Sequence, residues 1–404
     1  MTISYDHSAT LYPEARVARS LLFVSLVVTL ALALACAPAT PIAPTAPATP
    51  IWHLGKPVID SHVHIFPGMV SLARALEVFD KVGVGRFAVK SGGAIGTPKY
   101  QATLAMQRVL GDRVRVFATI DWSGLDDPLF ASKQVALLEQ GKKDGIVGIK
   151  VFKALGLGVR WADGTLVKAD DLRLAPIFEA CGRLGLIFAW HIADPRAFFD
   201  AVTPQNERYD ELSIADNWSF HGKDYPSFDE LMATQERVIA AHPSTVFLLI
   251  HFGNNAESLE YVDRLLDQHA NVFIDVAARV PEIGRHPADQ VRAFFVKHQD
   301  RILFGTDFIS DTQGQMQLGS VWHVPGQEPG VDDAVEFFTR HWRYFETDLK
   351  QMDHPTPIQG RWKVDAIHLP PDVQEKFYVT NAEKLIFSGA FPLPYAAPRK
   401  MDAR

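Results

Sequence analysis

From residue 57 onward the chain alternates two hydrophobic patterns. Short apolar runs fall at residues 58–62, 86–89, 114–120, 145–152, 186–191, 246–251, 272–276 and 302–305, each with the length and apolar content of a strand. Between them, apolar residues recur three and four positions apart, which predicts helices over 71–81, 100–110, 128–143, 171–184, 228–242, 257–269 and 288–299. Strands alternating with helices predict βαβ units around a parallel sheet, and eight strands is the count of a (β/α)8 TIM barrel. Helical patterns at 332–344 and 372–387 read as a C-terminal helical extension that completes the outer layer. An open doubly wound sheet is the alternative, but no Gly-x-Gly-x-x-Gly fingerprint supports it. The Ser-Gly-Gly-Ala-Ile-Gly stretch at 91–96 reads as a loop after a strand, with a phosphate cradle as the lesser alternative.

Polar residues interrupt the pattern at one recurring place, the ends of the apolar runs. The first run, VIDSHVHI from Val58, carries two histidines. Alternate side chains of a strand share a face, so Asp60, His62 and His64 are expected on one side and Ile59, Ser61 and Val63 on the other. His191 closes the fifth run, His251 closes the sixth, and Asp307 follows the eighth. In a parallel barrel all strand C-termini meet at one mouth, so these five side chains should converge although they span residues 62 to 307. Imidazoles packed together in a core are costly without hydrogen-bond partners, whereas around a divalent cation they are natural ligands. Zn2+ suits such nitrogen and oxygen donors best, with Mn2+ or Fe2+ as alternatives. The other histidines, among them His53, His242, His269, His298 and His341, fall in loops or on helices, where solvated or locally bonded roles are expected. Residues 195–227 and 311–330 are long interruptions after the fifth and eighth runs and are candidate lids or pocket walls. His221 lies in the first of these and reads as structural.

Composition narrows the function classes. The 404 residues are 47% hydrophobic and 22% charged, with a formal net charge of -7 and no Lys/Arg run, so nucleic acid is not an expected partner. The N-terminal 36 residues differ from the rest. Arg16 and Arg19 precede an uncharged apolar run from Leu21 to Ala35 that ends at Cys36. This run is shorter than the ~20 residues of a membrane span and has the plan of a secretory signal, with Cys36 placed as in a bacterial lipobox. Residues 37–56 begin as an Ala/Pro/Thr-rich linker suited to extended polyproline conformations. The expected organisation is therefore signal and lipobox at 1–36, linker at 37–56, a barrel domain at 57–390 and a tail at 391–404. Such a protein would be exported and held at a membrane by a lipid anchor on Cys36, or lie free in the periplasm. Cys181, the other cysteine, is expected to be a buried packing residue.

The His62-x-His64 pair, followed by His191, His251 and Asp307 at successive strand ends, resembles the amidohydrolase superfamily, and more closely its amidohydrolase-related (amidohydrolase 2) branch. The stretches Lys150-Val151-Phe152-Lys153, Asn206-Glu207-Arg208 and Ile302 to Asp307 add to that likeness, which covers roughly residues 57 to 390. The resemblance implies that His62, His64 and Asp307 hold a first cation. His191 either joins them or binds a second ion together with His251. It also implies that Lys150, at the end of the fourth strand, could be carbamylated and bridge two ions. An ordinary ammonium that meets substrate or a carboxylate is the alternative for Lys150, and the stronger reading for Lys153.

Such a centre activates water at neutral pH, because a divalent cation brings the pKa of its bound water to ~7. The expected activity is hydrolysis of an amide, ester or lactone in a small organic substrate. Asp307 would move the proton, and His251, if not a ligand, would hydrogen-bond the developing oxyanion. Two other readings remain: a metal-dependent decarboxylase of the same branch, and a tethered binding lipoprotein with a structural metal. Arg279, Arg285 and Arg160 are candidate carboxylate clamps. Trp122 and Trp190 are candidate pocket walls, although Trp190 alternates with His191 and would then face the helices. Oligomeric state stays open, a homo-oligomer included.

Overall fold

The computed structural model describes residues 56–320, 323 and 326–389. The expected signal segment with Cys36, the linker up to residue 55 and the tail at 391–404 lie outside the described residues. Eight parallel strands appear in chain order: β1 (Val58–Ile65), β2 (Val84–Val89), β3 (Val114–Thr119), β4 (Gly148–Phe152), β5 (Ile187–His191), β6 (Phe247–Leu249), β7 (Val272–Asp275) and β8 (Ile302–Leu303). Each pairs with its sequence neighbour, and β9 (Phe308–Ser310) lies parallel to β1, with β10 (Met316–Leu318) antiparallel beyond it. Although β8 and β9 stand at opposite ends of this order, only residues 304–307 separate them. Two backbone hydrogen bonds join that joint to the first strand: Ser61 N–H donates to Phe304 O and Asp307 N–H to His62 O, both at 2.9 Å. The result is an α/β fold with a curled parallel sheet whose last run meets its first.

Alternation along the strands sorts side chains into two layers. Phe188 and Trp190, Phe247 and Leu249, Val272 and Ile274 join the large core beneath the helices. Their alternates Ile187 and Ala189, Leu248 and Ile250, and Phe273 pack together with Ala88, Phe117 and Leu303 as a second, inner cluster. Leu385 and Ile386, from the helical stretch near the C-terminus, join this inner cluster. Trp190 therefore faces the helix layer, among Phe178, Phe188 and Phe247. Cys181 is buried in the same layer, and burial pushes its thiol up to about 12, in keeping with a packing role. The helix Ala175–Leu184 stops at Gly185, whose φ of 62° is the left-handed conformation that glycine adopts without steric cost.

Several elements depart from the expected bounds. The first strand runs on to Ile65, with a slip in register between Asp60 and Val63, so strict alternation fails there. Ile59 belongs to the inner cluster and Val63 to the outer one, not to a common face. The sixth strand stops at Leu249, because His251 and Phe252 turn into the left-handed region (φ 55° and 57°). The eighth splits at Phe304–Asp307. The 91–96 loop is tied to β3, with Gly92 N–H donating to Phe117 O and Thr119 N–H to Gly93 O, so the pairing with β3 runs on past the end of β2. The helix Val331–Glu346 and helical runs within residues 371–387 follow the sheet. Among the described residues no helix is long and apolar enough to cross a membrane.

The interruption at 195–227 is anchored by charge. Buried Arg208 pairs with Glu211 at 2.8 Å and with Glu282, which follows β7. Ser320 Oγ donates to Glu211 at 2.5 Å, so the two long interruptions meet. His221 Nδ1 lies 3.2 Å from Phe199 O, a local structural contact.

Candidate metal centre

The curl of the sheet brings the five polar strand ends together. Asp307 Oδ1 stands 3.2 Å from His64 Nε2 and 3.4 Å from His62 Nε2. The His62 ring centroid is 5.1 Å from that of His251, which is 4.5 Å from that of His191. Lys150 Nζ lies 3.4 Å from His62 Nε2. One ligand atom from each of His62, His251 and Asp307 falls within 4.8 Å of the other two. His62 and His251 are fully buried, whereas His64, with 19% of its side chain exposed, stands toward solvent.

Backbone geometry aims these groups. His251 and Asp307 both have left-handed φ (55° and 62°), as do Ala278 and Lys153. Residues with a Cβ rarely adopt this region, and such strain gathers where surrounding structure fixes a functional side chain. Asp275 supplies much of that fixing. Its Oδ1 accepts from His251 N–H (2.9 Å) and Ala277 N–H (3.2 Å), while its Oδ2 meets His62 Nδ1 at 2.9 Å. His251 Nδ1 donates to Ala277 O at 2.7 Å. Asp60 in turn accepts from Thr306 Oγ1 (2.6 Å) and from His62 N–H (3.0 Å), binding β1 to the Phe304–Asp307 joint.

These bonds decide what faces inward. With Nδ1 committed to Asp275 and to Ala277 O, His62 and His251 each keep a lone pair at Nε2. Burial holds both imidazoles well below their usual range, aided by Lys150 at His62 and by His191 at His251, so they are neutral at pH 7. Burial opposes the charge on Asp307, while the hydrogen bond from His64 Nε2 favours it. Both ring nitrogens of His191 are buried without a well-formed hydrogen bond. Its Nε2 stands 3.3 Å from Asp194 Oδ1, a contact short of N–H···O geometry. Neutral imidazoles and a carboxylate converging on one space, with buried nitrogens left over, fit a divalent cation.

The remaining predicted residues take up varied positions. Lys150 is buried, and burial pulls its ammonium down to about 8. Lys153 is engaged by Asp194 at 2.5 Å. Arg279 is buried, donates to Ala278 O at 2.7 Å, and its charge reaches His251. Arg285 pairs with Glu207 and lies over the Trp362 ring, while Arg160 is bonded to Gly164 O. Trp122 stacks on Phe130, a helix residue. Sequence reasoning missed Asp275, Lys90 and Asp194. Asp275 and Lys90 each lie two residues beyond an inner-cluster side chain, Phe273 and Ala88, so the period-two pattern contained the signal. Lys90 is fully buried, with its Nζ 3.3 Å from the Phe117 ring centroid.

The family model for amidohydrolases (amidohydrolase 2) matches residues 59–387. The chain belongs to the amidohydrolase family. Solved structures similar to this amidohydrolase-family chain include a 2,6-dihydroxybenzoate decarboxylase from Rhizobium, 16% identical, covering 82% of this chain and 98% of that one with a TM-score of 0.42. A Burkholderia multivorans amidohydrolase with bound zinc is 13% identical, covers 83% and 100%, and has a TM-score of 0.43. A dihydroorotase from Saccharomyces cerevisiae is 13% identical over 62% and 69%, with a TM-score of 0.38. No curated protein matches the chain.

Proposed function

We propose that this amidohydrolase-family protein is a metal-dependent hydrolase of a small organic amide, ester or lactone, built on a closed (β/α)8 barrel with a C-terminal helical extension. The observation that carries this reading is the cluster of His62, His251 and Asp307, whose ligand atoms lie within 4.8 Å of one another. His62, His64, Asp307 and His191 would hold one cation, Zn2+ by the donor chemistry. When bound, the cation supplies electrophilic polarisation and an activated water.

The protein's own groups complete the site. Asp307, flanked by two imidazoles, accepts a proton and returns it to the leaving group. His251, neutral and fixed through Nδ1, presents Nε2 toward the reacting carbonyl or contributes to the ligand set. Arg279 gives the mouth a positive charge beside His251. Lys150 contributes a buried amine near His62, in a form that carbamylation could convert to a bridging ligand.

The test combines elemental analysis with turnover on ester, lactone and amide panels. We expect bound zinc, turnover lost on chelation and restored by Zn2+, and an Asp307→Asn variant whose kcat falls by about 10²–10⁴. Failure to take up any divalent cation, or full turnover by Asp307→Asn, would overturn the reading. Release of CO2 with no water consumed would identify a decarboxylase instead.

A further inference from the structure

We propose that Lys153 and Asp194 are positioning residues that give His191 the tautomer opposite to that of His62 and His251. This inference rests on the metal-centre reading only for its cation-affinity arm.

The geometry is specific. Lys153 follows β4 in a left-handed conformation (φ 48°), disfavoured for any residue with a Cβ, and its N–H donates to His191 O at 2.7 Å. That bond fixes where its side chain starts. The ammonium then reaches Asp194 Oδ2 at 2.5 Å, with the Trp218 ring 4.5 Å away and the Phe152 ring 4.8 Å away. Trp218 comes from the 195–227 interruption, so that segment helps shield the pair from water. Asp194 has 4% of its side chain exposed, and its other oxygen stands 3.3 Å from His191 Nε2.

A buried charge pair has an ordinary explanation, local neutrality. Three features go beyond it. The strained backbone of Lys153 is tied to the carbonyl of His191 itself. Only one carboxylate oxygen is taken by the ammonium, leaving the second beside the ring. His191 also has two buried nitrogens in need of partners. With its proton on Nε2, beside Asp194 Oδ1, the ring would keep its lone pair on Nδ1. At His62 and His251 the order is reversed, because Nδ1 is the nitrogen bonded to Asp275 and to Ala277 O.

The experiment uses the full chain labelled with 15N-histidine, freed of metal by chelation, with the His191 signals assigned by their loss in His191→Gln. Long-range 1H–15N spectra should show His191 protonated at Nε2, against Nδ1 for His62 and His251. Asp194→Asn and Lys153→Met should shift His191 away from that state, and Lys153→Arg should retain it. In Zn2+ titrations, Asp194→Asn should bind 10- to 100-fold more weakly, the range for loss of such a partner. A wild-type His191 protonated at Nδ1, or an Asp194→Asn protein with unchanged tautomer and affinity, would overturn the inference. If Asp194→Asn does not fold, Lys153→Met against Lys153→Arg decides, since that side chain is partly exposed. A wild-type protein that binds no Zn2+ would defeat the proposed function, while the tautomer measured without metal would still judge this inference.

Discussion

Asp275 and His62 meet at 2.9 Å, carboxylate oxygen to Nδ1, with neither side chain exposed to solvent. The same carboxylate holds the backbone of His251, so one residue on β7 orients two candidate ligands, one on β1 and one in the turn after β6. Replacing Asp275 by Asn keeps the shape but offers an amide where His62 needs an acceptor. Zinc affinity measured by competition with a chelator should fall 10- to 100-fold while the circular dichroism spectrum is retained. Unchanged affinity would show that His62 does not depend on this partner.

Gly305 lies against the first strand so closely that a Cβ there would sit 2.9 Å from His62 Cβ. Gly305→Ala should therefore displace His62 or the joint. A stability loss of about 1–3 kcal/mol is expected in denaturant unfolding, with weaker zinc binding alongside. A variant as stable as wild type would mean that the joint yields freely.

Acid should destabilise the fold through buried histidines outside the candidate ligand set. Burial lowers His341 and His354 to about 4, even though each is bonded to a backbone carbonyl, of Phe337 and Gly360. The unfolded chain takes up these protons near pH 6.5 and the folded chain only near 4, so stability is full above about pH 6.5 and declines toward pH 4. Melting temperatures across this window should fall, and His341→Gln should flatten the decline. A profile unaffected by that substitution would remove His341 from the account.

The N-terminal reading rests on residues 1–36 and is tested by mass. Protein extracted from membranes of an expressing bacterium should begin at Cys36 and carry acyl mass there. Cys36→Ala should release it to the soluble fraction. A mature chain without Cys36 would end the anchor proposal.

Much of the fold was legible because burial on both faces makes parallel strands continuous apolar runs, and His191, His251 and Asp307 stand out where such runs end. Boundaries failed where the backbone leaves regular geometry. His251 looks like the last residue of a strand, but hydrogen bonds from its N–H to Asp275 Oδ1 and from its ring to Ala277 O hold it in a left-handed turn, and those partners come from β7 and the residues after it. The slip in β1 was hidden for the same reason: it depends on how β2 pairs with β1. Arg285 shows the opposite limit, since nothing near it in sequence announces Glu207 and Trp362 as its partners.

By itself, the sequence determined the α/β class, the strand and helix order, and which polar residues end the apolar runs, because hydrophobic periodicity is local information. Tertiary structure decided which nitrogen of His62 and His251 is taken by Asp275 or Ala277 O, that Lys153 belongs to Asp194, and that the Phe304–Asp307 joint ties the last run to the first. Those outcomes depend on partners brought within about 3 Å from distant strands, a distance set by the curl of the sheet and by no single stretch of chain.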